Sequence, residues 1–439
     1  MFKKYVLLVG MGVLLLSTSG YAQENPPIPQ GELTLEQILE YSLVNSPMVK
    51  QSQIDQEIGD HEIKASLADW YPQVTLSGAG NYNIKLQTSV IGDQLITFGQ
   101  PWNSNLMFQV NQTLFNRDQL FASKSSKYYR DQLDKAIKNT RITTIVEVSK
   151  AYYDILLAEE QLNVLNENIG RLEKQLKDAK NRYESGLVDK TDYQRASISL
   201  SNEMSVRNRV QTSFDARYAY LKQLMGCPEE FEFTVSFDRE EMLSEIYMDA
   251  SEPLVLENRV EYQLMQTQQT LNEIQFSYEK WNYLPQLSAS YNYNWLYFNQ
   301  EFSNLYNQAY PTSSVGLTLS LPIFQGGKRN HRVRVADLQV DRGAIDLQNL
   351  GNQITTEYEV ALTTYQSDVY AWENIRENMK MAEEVYDIIK LQYDEGIKAY
   401  VDLVVAESDL RTAQINHLNA IFQVLESKLD LEKALGLIE

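Results

Sequence analysis

Cysteine is almost missing: the 439 residues hold only Cys227, so no disulfide framework forms within one copy. Histidine is nearly as scarce, and His61, His331 and His417 stand far apart. His61-Glu62 also lacks the second histidine of a zinc-protease helix. No phosphate loop, nucleophile elbow or metal-ligating cluster is present, so neither an enzyme nor a cofactor is expected. Positive charge is short as well, with 39 Lys and Arg against 59 Asp and Glu. A net charge of −20 excludes nucleic acid, whose phosphates demand a basic surface. Beyond the first twenty residues or so, no apolar run reaches the roughly 18 residues of a membrane helix. Such a chain is either soluble outside the cytoplasm or enters a membrane as β-strands.

The exception is the beginning. Lys3 and Lys4 precede an apolar run from Tyr5 to Leu16, followed by Gly20-Tyr21-Ala22. A basic flank, a short apolar stretch and a small-residue cleavage site predict an export leader over residues 1–22. Its removal takes two of the 39 basic residues and no acid, leaving 37 against 59, or −22.

The rest of the chain is written twice. Tyr71-Pro72-Gln73-Val74 returns as Leu284-Pro285-Gln286-Leu287, an offset of 213. Leu114-Phe115-Asn116 returns as Ile323-Phe324-Gln325, and Leu221 to Gly226 as Leu431 to Gly436, at offsets of 209 and 210. Near-constant offsets predict two large tandem repeats, residues 23–227 and 252–439, joined by 228–251. Each reads as helix, two strands, very long helix, hairpin, helix. In the first, Thr34 with Gln37 forms a capping-box pattern that opens a helix expected to run to about Trp70. In the second, the corresponding helix is expected from about Pro253 to Tyr283.

The long helices carry a repeat of seven. Tyr358, Tyr365, Trp372, Met379, Tyr386 and Tyr393 stand at seven-residue steps, as do Val148, Ile155, Leu162, Ile169, Leu176 and Tyr183. Sustained heptads give a coiled-coil seam. Asn116 to Ser185 and Gln325 to Glu395 are each roughly 70 residues, about 105 Å as helix. Neither span contains proline, although Gly343 and Gly351 are possible weak points. Hairpins are expected at 183–193 and 393–403.

After Pro72 the period changes from seven to two. Strands are expected at about 73–86, 105–115, 286–298 and 313–324, each apolar on one side and rich in Asn, Gln, Ser and Thr on the other. That length and alternation fit membrane β-strands whose polar face lines water; a soluble β-sandwich shows the same alternation. Tyr291 to Tyr297 fits an interfacial aromatic girdle. Residues 87–102 and 299–312 read as external loops. A spanning sheet must close on itself, and four strands cannot. Three copies would supply twelve strands around a wet bore.

In this order and at these spacings, Tyr-Pro-Gln after the first helix, Leu321-Pro322-Ile323-Phe324-Gln325-Gly326-Gly327-Lys328 and the two Tyr-x-x-Gly hairpins resemble the TolC-type outer membrane efflux protein family. The resemblance implies a mainly α-helical fold with membrane β-strands: a homotrimer with a twelve-stranded β-barrel in the outer membrane on a long coiled-coil α-barrel crossing the periplasm. It implies that residues 228–251 form an equatorial belt. It implies a gated exit duct of a tripartite efflux or type I secretion system, in the outer membrane of a Gram-negative cell. Its partners would be a periplasmic adaptor, an inner-membrane transporter and outer membrane lipid. Carried over residue by residue, Tyr393 and Lys398 would latch the inner hairpin to Thr191 and Asp192 of the outer one. Asp402 would form an acidic ring in the bore; the second acid that often follows is Val405 here. Gly186, Leu187, Gly396 and Ile397 would be the tips that meet the adaptor. The rival reading is a soluble periplasmic coiled-coil scaffold or adaptor.

Overall fold

A computed structural model describes residues 31–438 except 93, 187, 229, 237–242, 244–245 and 249–251. The expected leader and half of the expected belt therefore lie outside the described residues.

Thr34 opens α1 (Leu35–Asn45) with a full capping box: its hydroxyl accepts from the Gln37 amide at 3.4 Å, and Gln37 Oε1 accepts from the Thr34 amide at 3.1 Å. The helix expected to run unbroken to Trp70 is in fact two. Ser46 has φ −51° and ψ 132°, and α2 (Pro47–Ala68) begins at Pro47. A proline ring drives the preceding residue out of the helical region and is well placed at a first helical position, so the chain breaks there. In the second half the chain enters α5 (Val260–Lys280) later than expected, after a single 3-10 turn over Leu256–Asn258.

The seven-residue repeat produces α3 (Arg117–Glu184) and α6 (Lys328–Asp394), 68 and 67 residues long. Each extends about 100 Å. Gly343 and Gly351 do not interrupt α6; Gly343 sits where a Cβ would strike the Gln269 amide, whose nitrogen donates to the Val340 carbonyl at 3.1 Å. That glycine serves close packing of α5 on α6. The return helices α4 (Lys190–Met225) and α7 (Tyr400–Leu435) are each 36 residues. Both end on a left-handed glycine, Gly226 and Gly436, pressed under the backbone of Asn45 and Asn258 respectively. The same closure is thus built once in each half. Beside it lies the main core, where Ile155, Leu156, Leu221, Val424 and Leu431 are fully buried.

Eight strands complete the described residues: β1 (Gly31–Leu33), β2 (Gln73–Tyr82), β3 (Gln87–Ile91), β4 (Gln94–Phe98), β5 (Trp102–Phe115), β6 (Phe233–Val235), β7 (Gln286–Asn299) and β8 (Tyr310–Ser320). β1 and β6 pair in parallel beside the core, and β3 with β4 forms a hairpin inside the first expected loop. β2 stops four residues short of expectation. β8 starts earlier and stops at Ser320, because Pro322 has no amide to continue a ladder.

β2, β5, β7 and β8 form one antiparallel sheet in that order. Its register aligns Val74, Val110, Tyr291 and Val315 in one row and Thr75, Gln109, Asn292 and Ser314 in the next. The sheet therefore has one apolar and one polar face. Val315, Leu317 and Leu319 are 81%, 72% and 67% exposed, and among the described residues no second sheet covers them. A sandwich would have buried that face. At the loop end, Trp102 lies 4.5 Å from Tyr82 and 4.9 Å from Phe302, and Tyr297 lies 5.1 Å from Tyr306. Aromatic rings banded at one edge of an exposed apolar sheet suit a membrane interface.

Candidate functional site at the hairpin end

α3 and α6 carry the chain from the sheet to two turns at the opposite end, 185–189 and 395–399. Each turn contains a glycine in the left-handed region, Gly186 at φ 71° and Gly396 at φ 74°. Their amides donate to the carbonyls of Tyr183 and Tyr393, both at 2.9 Å, closing the helix ends. Ile397 projects from the second turn, 73% exposed; Leu187, its counterpart, lies outside the described residues.

The two hairpins lie side by side through α3 and α7. Between them sits a small core of Ala179, Ala196, Tyr386, Tyr400, Leu403, Ala406 and Leu410. Tyr393 packs on its rim. The Arg182 guanidinium lies 4.9 Å from the centre of its ring, and Tyr400 lies 5.8 Å away. Burial raises the Tyr393 phenol above its ordinary pKa; Arg182 opposes this, and the charges of Asp192 and Asp178 add to it. Tyr393 and Asp192 are thus electrostatic neighbours. Among the described residues, however, no hydrogen bond or ion pair joins Tyr393 or Lys398 to Thr191 or Asp192 within the chain. Thr191 and Lys398 are exposed. Asp402, half-buried, accepts from the Ala399 amide at 3.3 Å and so caps the start of α7.

Sequence reasoning missed Arg182 and a set of polar residues further from the tips. Glu203 of α4 is fully buried and is paired with Arg411 of α7 at 2.6 Å. One signal was available: Glu203 stands seven residues after buried Ala196 and seven before Val210, an acid in an apolar stripe.

Two-stranded pairs merged into a sheet with an exposed apolar face, standing on helices of about 100 Å, define an outer-membrane channel protein of the long-helix type. The family described as outer membrane efflux protein matches residues 38–227 and 254–437. The chain belongs to that family, whose members are channels rather than enzymes. Over 408 residues it is 21% identical to the outer membrane protein TolC of Vibrio cholerae, covering 92% of this chain and 90% of that one. It is 21% identical over 309 residues to the alkaline protease secretion protein AprF of Pseudomonas aeruginosa, covering 70% of this chain and 64% of AprF. The CmeC outer membrane channel of Campylobacter jejuni superposes with a TM-score of 0.76 at 17% identity, over 92% of this chain and 85% of CmeC. The protein is an outer membrane exit duct, with its long helices on the periplasmic side.

Proposed function

We propose that three copies close into a passive channel, gated at the hairpin end, that serves an efflux or type I secretion system. The coincidence of unpaired edges carries this reading. β2 and β8 are the free edges of the sheet. In the helical layer α2 packs on α3, α3 on α5 and α5 on α6, which leaves α2 and α6 at its edges. Each edge helix is continuous with an edge strand, α2 leading into β2 and β8 leading into α6. One neighbouring copy on each side would therefore satisfy strand and helix together. In a membrane those strand edges have no water to bond, so closure is obligatory. Twelve strands leave room for an aqueous bore lined by the polar face.

At the far end of the closed trimer, Tyr393 and Lys398 would link to Asp192 and Thr191. Each partly exposed link contributes about 1 kcal/mol, weak enough for a docking partner to undo. Asp402, one per copy, would ring the bore. Gly186, Gly396 and Ile397 would present the surface for a periplasmic adaptor, as would Leu187, which lies outside the described residues, and an inner-membrane transporter would supply the energy.

Membrane fractionation and detergent-phase light scattering test the assembly. A membrane-bound, heat-modifiable species of three-copy mass is expected. A soluble monomer would return the rival scaffold reading.

A further inference from the structure

We propose that Arg171 on α3, Glu203 on α4 and Arg411 on α7 are positioning residues that hold the second hairpin against the first and keep the mouth closed, and that Glu407 on α7 loosens the same seam when charged. The proposal rests on the reading of the hairpin end as a gated mouth. These residues stand back from the tips: Glu203 lies 17 residues beyond Gly186, about 25 Å along the helix.

The four helices of both hairpins converge here. Arg411 Nη1 donates to Glu203 Oε2 at 2.6 Å, and Asn168 Nδ2 donates to Glu203 Oε1 at 3.4 Å. Arg171 donates to Asn168 Oδ1, and its Nε lies 3.8 Å from Glu407 Oε1, with neither of those two atoms hydrogen-bonded. The Tyr386 ring of α6 lies 5.8 Å from the Arg171 guanidinium, and the Tyr400 hydroxyl donates to Gln175 Oε1 at 3.5 Å. Two acids and two bases thus balance inside the seam. Glu203 and Arg411 belong to different hairpins. Swinging one hairpin from the other would strip Glu203, fully buried, of its charge-assisted bond to Arg411, whose side chain is 35% exposed, a larger loss than for two exposed partners. The exposed links at the tips carry no such penalty.

The two acids are not equivalent. Glu203 is bonded through both oxygens, whereas Glu407 has one oxygen unbonded. Burial pushes the Glu407 carboxyl above its ordinary pKa, the Gln175 hydrogen bond and the Arg171 and Arg411 charges oppose this, and Glu203 adds to it. The groups facing it are Arg171 and Gln175 from α3, Glu203 from α4, Tyr386 from α6, and Tyr400 and Arg411 from α7. A carboxyl whose pKa is raised by packing favours the packed state when protonated. The closed mouth is therefore tightest below the ordinary glutamate pKa and loosens as pH rises through the raised one.

The full chain in planar bilayers tests this. Glu203→Gln and Arg411→Gln should each raise resting conductance severalfold, and the double variant no further than the larger single effect. Amide exchange over residues 400–411 should quicken in the same variants. Wild-type conductance should fall on acidification; Glu407→Gln should conduct less than wild type at neutral pH and lose that dependence. Faster exchange with unchanged conductance, or additive single effects, overturns the proposal. If Glu203→Gln does not assemble, a wild-type pH profile in Glu407→Gln overturns it. A wild type that forms no channel defeats the mouth reading and the proposal together; a conducting wild type with unresponsive variants defeats the proposal alone.

Discussion

At the scale of single residues, like-looking positions carry different loads. Gly186 and Gly226 share a left-handed backbone, at φ 71° and 73°. A Cβ at Gly186 meets nothing within 4 Å, whereas at Gly226 it would lie 2.3 Å from the Asn45 carbonyl oxygen. Gly186→Ala should cost about 1–2 kcal/mol of local strain, which the tip absorbs. Gly226→Ala adds a backbone clash and should lower the melting temperature clearly more; equal shifts would contradict the packing described for that cap. The proposed latch gives a second test. Asp192→Ala combined with Tyr393→Phe should raise single-channel conductance, and an unchanged value would remove these residues from the gate without touching the fold. Tyr393 and Asp192 were legible in the sequence because the hairpin occurs twice. Arg182 was not, since an arginine in the last turn of α3 reads as an ordinary helix-end cation until α6 is brought beside it.

Elements were legible wherever a period persisted. Seven-residue steps run through α3 and α6 with no competing signal, and two-residue alternation marks the sheet. Boundaries failed where one residue overrode the period, at Ser46 before Pro47 and at Ser320 before Leu321-Pro322. The β3–β4 hairpin carried a signal that was overlooked, Val90-Ile91 and Leu95-Ile96 on either side of Gly92-Asp93, with Thr88 facing Thr97 across it at 3.3 Å. The sheet's two faces make an element-level prediction. Val315→Arg places a charge on the apolar face and should cost roughly 2–4 kcal/mol at mid-membrane depth. Ser314→Arg, the next residue on the opposite face, should be tolerated. Loss of heat-modifiable migration in the first variant alone is expected; the same loss in both would mean that the polar face does not line water.

For the molecule as a whole, the edges decide. In a Cys227→Ser background, Thr75→Cys on β2 and Ser314→Cys on β8 place one thiol on each edge strand. Oxidation in membranes should yield a ladder of covalent species that stops at three, and a longer ladder or none would refute the proposed closure. By itself the sequence determined the things that are periodic or repeated: two halves, long heptad helices and strands with unlike faces. Those follow from local geometry, because spacing alone dictates which side chains share a face. Tertiary structure alone decided that the four strands merge into one sheet in the order β2, β5, β7, β8, that α2 and α6 share its open edges, and that Glu203 meets Arg411 across 208 residues of chain. Such pairings join segments remote in sequence, and no period records which remote segment will arrive.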